Sequence, residues 1–278
     1  MKFDALVLAG GGSRCLWQAG FYDVLANADR LALREVSCVS AGSCIAAMVF
    51  SDTMHEGLRY FKEITGKNPR NFYPERLLSG ERPLPHFAMY RDTLLHTLDE
   101  DALGRLHRGP VIRVAIARAP ARLGPRAAVA VGFGLYTLEK VLKNPVHPAL
   151  GRAAGFRAEF IPMSSCATPD ALADLILASS CTPPLTPIQF RDGSAALDGG
   201  LVDNVPVDAL SASCADVLVL VTRRYRELPR RAGCTYVQPS ERIAIDKWDY
   251  SNPQGLQDAF DLGRRDGEAF MRANTRRS

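Results

Sequence analysis

The sequence lacks the features that mark membrane-spanning, metal-binding and disulfide-stapled proteins. Its 278 residues contain no run of about 18 or more apolar residues, so we expect no transmembrane helix. The seven cysteines form no C-x-x-C pair, and none lies beside a histidine at ligand spacing. We therefore expect no metal, no cofactor and reduced cysteines that pack as small core residues.

The sequence also lacks a large excess of charge of one sign. The net charge of +4 is too small to indicate nucleic acid as a partner. The first residues show no charged segment followed by an apolar segment and a cleavage site, so we expect no signal peptide. These absences favour a cytoplasmic protein, with peripheral membrane contact and export without a cleavable signal left open.

The composition is that of a globular chain with an ordinary core. It is 47% hydrophobic and 23% charged, and its length suits one large α/β domain or two small ones. We interpret residues 1–278 as a single α/β hydrolase domain. Its motif-bearing core covers about 3–222, and a C-terminal helix covers about 254–275.

A glycine-rich turn follows the first predicted strand, which runs from Phe3 to Ala9. The turn reads Gly10-Gly11-Gly12-Ser13-Arg14, and apolar residues at helical spacing follow it. Bare backbone amides at the start of a helix can hold a phosphate or a developing oxyanion. A P-loop would need a Lys-Ser or Lys-Thr pair here, and the dinucleotide fingerprint would need glycine in place of Cys15. The oxyanion interpretation is favoured, and a nucleotide-binding module remains an alternative.

A serine lies at the apex of a second strand–turn–helix unit. A β-branched and apolar run from Leu33 to Val39 leads into Ser40, and a small-residue helix is predicted from Ala41 to Phe50. A turn this tight presents the serine hydroxyl at the top of a sheet and requires small neighbours, which Ala41 and Gly42 supply. By itself the pattern is also that of an ordinary helix N-cap.

An acidic residue ends a later short strand and is followed by two glycines. The segment reads Leu197-Asp198-Gly199-Gly200, with Asn204 and Pro206 further on. Glycines after an acid allow a sharp turn that aims the carboxylate. A serine hydroxyl needs such a base before it can act as a nucleophile.

The three blocks together resemble the patatin-like phospholipases, in the family's order and at plausible spacing over about Phe3 to Thr222. The resemblance implies a three-layer α/β/α sandwich with a central, mostly parallel sheet. It implies a lipid acyl hydrolase of phospholipase A or lysophospholipase type that needs no histidine. By position, Ser40 is the nucleophile, Asp198 is the base and Arg14 anchors the loop. The oxyanion hole comes from the amides of Gly10, Gly11, Gly12 and Ser13.

Two residues depart from the family's pattern. Cys15 and Cys38 stand where the family usually has glycine, and both are small enough for a working but crowded elbow. A catalytically weak or silent protein that binds lipid or acyl groups is the alternative on the same scaffold. The substrate is a lipid or another acyl ester, and the need for an activating protein partner stays open.

Arginine clusters and histidines complete the candidate features. Arginines surround the predicted strand Val111–Ala117, and an uncharged stretch, 127–138, follows them. We interpret the stretch as core with a solvated arginine rim, the alternative being an edge that rests on anionic lipid. We interpret the second cluster, which begins at Arg223, as a solvated loop. The histidines have no motif around them, and we interpret all five as surface or loop residues: His55, His86, His96, His107 and His147.

Overall fold

A mixed β-sheet forms the centre of the computed structural model, which describes residues 2–28, 30–143 and 145–275. Within these ranges the strands are β1 (Phe3–Leu8), β2 (Leu31–Val39), β3 (Val111–Arg118), β4 (Arg157–Pro162), β5 (Gln189–Arg191), β6 (Ser194–Asp198), β7 (Val217–Leu220) and β8 (Cys234–Val237). Their order is β5-β6-β3-β2-β1-β7-β8, and β4 pairs with β3.

The sheet is parallel in its centre and antiparallel at one side. Strand β1 pairs in parallel with β2 and β7, and β2–β3 and β7–β8 are also parallel pairs. Strands β4, β5 and β6 run antiparallel to their neighbours. The parallel strands therefore bring their carboxyl ends, and the loops that follow, to one edge of the sheet.

Helices cover both faces of the sheet. They are α1 (Leu16–Asn27), α2 (Ala41–Phe50), α3 (Met54–Gly66), α4 (His86–Thr97), α5 (Glu100–Arg108), α6 (Pro125–Leu142), α7 (Leu150–Ala153), α8 (Pro169–Ser179) and α9 (Pro253–Thr275). The larger core lies between one face and most of these helices, whereas α6 packs on a smaller cluster around Phe156 and Leu201. No helix in the described ranges is long and apolar enough to cross a bilayer.

Alternation along β1 shows how the sequence divides the two faces. Leu6 and Leu8 enter the larger core, whereas Ala5 and Val7 enter a second cluster on the opposite face. All four are essentially fully buried. A continuous apolar run is what a central parallel strand requires, because neither of its faces meets water.

Helix α9 completes the larger core by lying against α1. The two backbones approach so closely that a Cβ on Gly20 would come within 2.0 Å of the Phe260 carbonyl oxygen, and one on Gly263 within 2.0 Å of the Trp17 oxygen. The Trp17 indole N–H donates to Asp266 Oδ2 at 2.7 Å. The C-terminal helix therefore packs into the same core as the glycine-rich segment.

The predicted three-layer, mostly parallel α/β/α fold is confirmed. The uncharged stretch 127–138 differs from its prediction as core. It lies in α6, where Ala128 and Gly132 are buried while Val131 and Leu138 are exposed. The prediction therefore holds for one face of that helix only.

Candidate active site

Strand β2 delivers Ser40 in a conformation that a serine rarely adopts. Its φ is 54° and its ψ is −137°, outside the ordinary helix and strand regions. The turn is tight because α2 starts directly against β1. A Cβ on Gly42 would lie 2.6 Å from the Leu8 oxygen and 2.7 Å from the Ala9 oxygen. A strained, tight turn of this kind is typical of a nucleophile elbow.

The sheet register brings Asp198 to the same point. Strand β4 occupies one edge of β3 along Arg113–Arg118, so β2 and β6 must share the other edge. The last residue of β2, Val39, pairs with Ala115, and Asp198 pairs with the next residue, Ile116. The two strands thus end against each other, and the residues that follow or close them meet.

The Ser40 hydroxyl donates to Asp198 Oδ2 at 2.7 Å. The same oxygen lies 3.3 Å from Thr182 Oγ1, and Asp198 Oδ1 accepts from the Gly200 amide at 2.8 Å. The first glycine after the acid is equally constrained, because a Cβ on Gly199 would lie 2.3 Å from the Ala115 oxygen. The carboxylate is therefore aimed by its backbone and held by two further donors.

The environment of Asp198 changes its basicity. Burial raises the pKa of its carboxyl above the usual value, and the hydrogen bonds from Ser40 and Gly200 partly oppose that rise. A carboxylate with a raised pKa is a better proton acceptor, provided the pH keeps it ionised. The arrangement suits a base that must accept a proton from a serine.

Ser179 is a residue of the site that the sequence motifs did not reveal. Its hydroxyl accepts from the Ser40 amide at 2.7 Å and donates to the Ala115 carbonyl at 2.7 Å. It closes α8, and it is fully buried. Its sequence signal is the stretch from Ala178 to Pro187, which looks like the Ala-Ser…Pro…Pro segment of the patatin-like phospholipases.

Two of the four amides in the glycine-rich loop are paired with backbone carbonyls, and those of Gly11 and Gly12 are left for the cavity. Gly10 donates to the Asn204 oxygen at 3.3 Å, and Ser13 donates to the Lys247 oxygen at 3.0 Å. Within the described ranges, neither Gly11 nor Gly12 donates its amide to an acceptor. The expected set of amide donors, Gly10 to Ser13, is therefore reduced to the middle two.

Several contacts fix this loop. The Gly10 carbonyl accepts from Thr222 Oγ1 at 2.7 Å and from Asn204 Nδ2 at 3.4 Å. Arg14 donates through Nε to the Ile245 oxygen at 3.2 Å, and its guanidinium lies 3.5 Å from Asp246. Arg14 is thus tied to a segment near the C-terminus, as a residue that anchors the loop would be.

An open cavity of about 910 Å³, including the space at its mouth, joins these groups. Ser40, Asp198, Gly11 and Gly12 all line it. Helix α6 contributes Phe133, Tyr136, Thr137 and Lys140, and the C-terminal part of the chain contributes Arg223, Lys247 and Trp248. Arg223 reaches this cavity from the largely exposed loop that follows β7.

Comparison with known proteins identifies the family of the chain. A model of the family described as Patatin-like phospholipase matches residues 6–211. This chain belongs to the patatin-like phospholipase family. One solved structure that resembles it is VipD from Legionella pneumophila, at 12% identity and a TM-score of 0.43, over 95% of this chain and 67% of that one. No curated protein matches the sequence.

The family is one of lipid acyl hydrolases, and this patatin-like chain has a second cavity suited to apolar groups. About 490 Å³ of space, including the open solvent at its mouth, lies between the glycine-rich loop and helices α2, α3 and α4. Its walls are almost wholly apolar and include Leu16, Ile45, Met48, Leu58 and Phe61. Gly12 lines both cavities.

The two cysteines that depart from the family pattern are both buried. Cys38 is fully buried in the larger core, where burial raises its pKa to about 12. Cys15 is buried too and lines the apolar cavity. Neither lines the cavity of Ser40, and the 2.7 Å bond between Ser40 and Asp198 forms despite the crowding expected at the elbow.

All five histidines lie in the described ranges, and none lines the cavity that contains Ser40 and Asp198. The surface interpretation is wrong for His86, which is buried and contacts the Trp248 carbonyl through Nε2 at 2.8 Å. His147 is partly buried, and its Nδ1 lies 3.1 Å from Asp203. An acyl transfer at Ser40 would thus rely on the carboxylate for proton transfer.

The arginines around β3 do not form one free basic face. Arg105 donates to the Ser51 carbonyl, Arg113 pairs with Glu35, and Arg118 pairs with Glu159. These side chains serve the fold of this patatin-like protein. The basic groups at the cavity of Ser40 and Asp198 come from elsewhere in the chain.

Proposed function

We propose that this protein is a serine acyl hydrolase of phospholipase A or lysophospholipase type, with Ser40 as nucleophile and Asp198 as base. The observation that carries the proposal is the 2.7 Å hydrogen bond from the Ser40 hydroxyl to Asp198, in a cavity that also receives the Gly11 and Gly12 amides. Membership of a lipid acyl hydrolase family supports it independently.

The reaction follows from the roles of these groups. Asp198 takes the Ser40 proton while the serine oxygen attacks the ester carbonyl. The resulting oxyanion accepts hydrogen bonds from the Gly11 and Gly12 amides, and the alcohol leaves with the proton. Water, activated by the same carboxylate, then releases the fatty acid from the acyl-enzyme. Each oxyanion donor typically contributes about 10²–10³ in rate.

The apolar cavity favours an acyl chain as the group that enters beside the nucleophile. It adjoins Ala41, the residue after Ser40, and Gly12, whose amide we assign to the oxyanion. A carbonyl carbon at Ser40 can therefore lie between two regions of different chemistry. An apolar chain suits the first cavity, and a polar remainder suits the second.

Contact with a lipid surface is part of the proposal, through α6 rather than through the arginines around β3. The helix lines the catalytic cavity with Phe133 and Tyr136. It also exposes Leu138, Val141 and Leu142 to solvent. Exposed aliphatic side chains beside the cavity that receives the lipid suit insertion into the interface of a bilayer.

Fluorophosphonate labelling read by intact mass tests the dyad. We expect one adduct on the wild type, none on Ser40→Ala, and slow or no labelling of Asp198→Asn. Absence of an adduct on folded wild-type protein would contradict the hydrolase proposal. Lipid bound without capture would then favour the silent lipid-binding alternative, and thermal stabilisation by a nucleotide would favour the nucleotide module.

A further inference from the structure

The charges around the catalytic cavity are unbalanced. Four cationic side chains line it, whereas Asp198 is the one acidic side chain that lines it within the described ranges. The cations are Arg14, Lys140, Arg223 and Lys247. A cavity lined by one sign of charge concentrates ligands of the opposite sign.

Most of these cations have no carboxylate partner. Arg14 lies 3.5 Å from Asp246. Arg223 donates instead to the Tyr225 hydroxyl at 2.7 Å and stacks over that ring at 4.8 Å. In the described parts of the chain, neither Lys140 nor Lys247 has a carboxylate within 4.0 Å. Three positive charges are therefore available to a ligand.

The crowding of these charges is visible in the lysines. Burial lowers the pKa of Lys247 to about 8, the Asp198 carboxylate opposes that change, and Lys140, Arg14 and Arg223 add to it. Burial and the arginines also lower the pKa of Lys140. A bound anion would relieve this repulsion.

Lys247 is held firmly at the site. Its carbonyl accepts from the Ser13 amide at 3.0 Å, which ties it to the glycine-rich loop. A Cβ on Gly12 would lie 2.1 Å from that carbonyl oxygen, so the two backbones are in contact. The Lys247 ammonium group sits 4.7 Å from the centre of the Trp248 ring. Like Arg223, it lies outside residues 6–211, so the family match does not account for it.

We propose that the substrate carries a negatively charged group beside its scissile ester, and that Lys247, with Lys140 and Arg223, selects it. This inference rests on the proposed hydrolase function and narrows its substrate class. The preferred ester has a phosphate or carboxylate with no compensating cation. Neutral esters of the same acyl chain are poorer substrates because they bring no negative charge to the three cations. Zwitterionic esters are poorer substrates because their own cation is repelled by them.

The test compares three soluble esters with the same chains. Dihexanoyl phosphatidylglycerol, dihexanoyl phosphatidylcholine and dihexanoylglycerol are used as monomers, so that membrane charge plays no part. We expect wild-type kcat/KM to be at least about tenfold higher for the anionic ester than for either other ester, which corresponds to about 1.4 kcal/mol. Lys247→Met and Lys140→Met should lower that ratio, and Lys67→Met, an exposed control that lines neither cavity, should leave it unchanged.

Two outcomes would overturn the inference while leaving the hydrolase intact. One is a wild-type enzyme that cleaves the three esters equally well. The other is a Lys247→Met variant that loses activity on all three esters by the same factor and whose pH–kcat/KM profile has a shifted acid limb. That result would mean that Lys247 acts only through Asp198.

A binding measurement separates failure of the inference from failure of the function. Calorimetry of hexyl phosphate and hexanoate with Ser40→Ala needs no catalysis, and the pair distinguishes a phosphate from a carboxylate as the anion. We expect at least one to bind, at least about tenfold more weakly when Lys247→Met is added. Binding that Lys247→Met does not change would contradict the anion site even if no ester is cleaved. Hexyl phosphate binding without any hydrolysis would instead contradict the function alone.

Discussion

The Ser179 hydroxyl joins the backbone of Ser40 to the sheet. It accepts the Ser40 amide and donates to the Ala115 carbonyl, both at 2.7 Å. Ser40 sits at φ 54°, a conformation that its surroundings must maintain. We therefore infer that Ser179 positions the proposed nucleophile, Ser40, without touching the reacting atoms.

Replacing Ser179 with alanine should reduce catalysis more than binding. We expect kcat to fall about tenfold, which corresponds to about 1.4 kcal/mol, with little change in KM. Loss of two buried hydrogen bonds should also lower the free energy of unfolding by about 1–3 kcal/mol. Steady-state kinetics and denaturant unfolding measure both effects. Ser165→Ala removes an exposed hydroxyl that donates to the Pro162 carbonyl, and it should change neither.

The raised pKa of Asp198 has opposite consequences for activity and stability. Catalysis needs the ionised carboxylate, so activity should fall as pH drops through a pKa above the usual value of about 3.9. Stability has the opposite sign. The protonated carboxyl favours folding fully below the unfolded pKa, and this contribution is lost as pH rises through the folded pKa. Asp198→Asn should thus be nearly inactive yet melt at a higher temperature than the wild type at pH 7.

The stability arm of that prediction has its own internal control. The difference in melting temperature should shrink toward about pH 4, where the wild-type carboxyl is increasingly protonated. If Asp198→Asn melts below the wild type both at pH 7 and at about pH 4, the hydrogen bonds of the wild-type Asp198 outweigh the cost of burying its charge. The pH–kcat/KM profile of the wild type locates the acid limb.

The sequence predicted the local parts of the candidate site because each has a local signature. A glycine-rich turn, a serine between small residues and an acid before two glycines can all be recognised within a few positions. Their meeting depends on register, since Val39 and Asp198 pair with consecutive residues of β3. No local pattern contains that information, and the family resemblance supplied it instead.

The residues that sequence reasoning missed reach the site from distant segments without a motif. Lys140 lies within α6, and Lys247 lies in a loop with no regular periodicity. A lysine in either place is ordinary until the fold is known. His86 was assigned to the surface for the same reason, because its burial depends on the packing of the segment around Trp248.

Adding a methyl group at Gly42 should disrupt the elbow. A Cβ there would meet the Leu8 and Ala9 carbonyl oxygens at 2.6 and 2.7 Å, and backbone atoms cannot move aside cheaply. We expect Gly42→Ala to lower the free energy of unfolding by about 1–3 kcal/mol, by overpacking, and to lower activity. Gly134→Ala is the matched helical control. Nothing lies within 4 Å of its Cβ, so stability should rise by up to about 1 kcal/mol.

An acidic residue on the exposed face of α6 should weaken activity on vesicles. Val141 is 79% exposed, and a carboxylate there would oppose insertion into a lipid interface. We expect Val141→Asp to lower vesicle binding and vesicle hydrolysis several-fold while sparing a soluble monomeric ester. Val111→Asp serves as control, because Val111 is exposed at the amino end of β3, the edge opposite to Ser40. Equal loss in both variants would contradict a membrane role for α6.

Filling the apolar cavity should change the preferred acyl length. Leu58 is buried on α3. It lines that cavity but not the cavity of Ser40 and Asp198. We expect Leu58→Trp to reduce kcat/KM for a long-chain ester at least about tenfold more than for an acetyl ester, because only the long chain needs the space. Overpacking should cost about 1–3 kcal/mol of stability, and Leu95→Trp, outside the cavity wall, controls for that cost. An unchanged chain-length profile in folded Leu58→Trp would show that the acyl chain leaves Ser40 by another route.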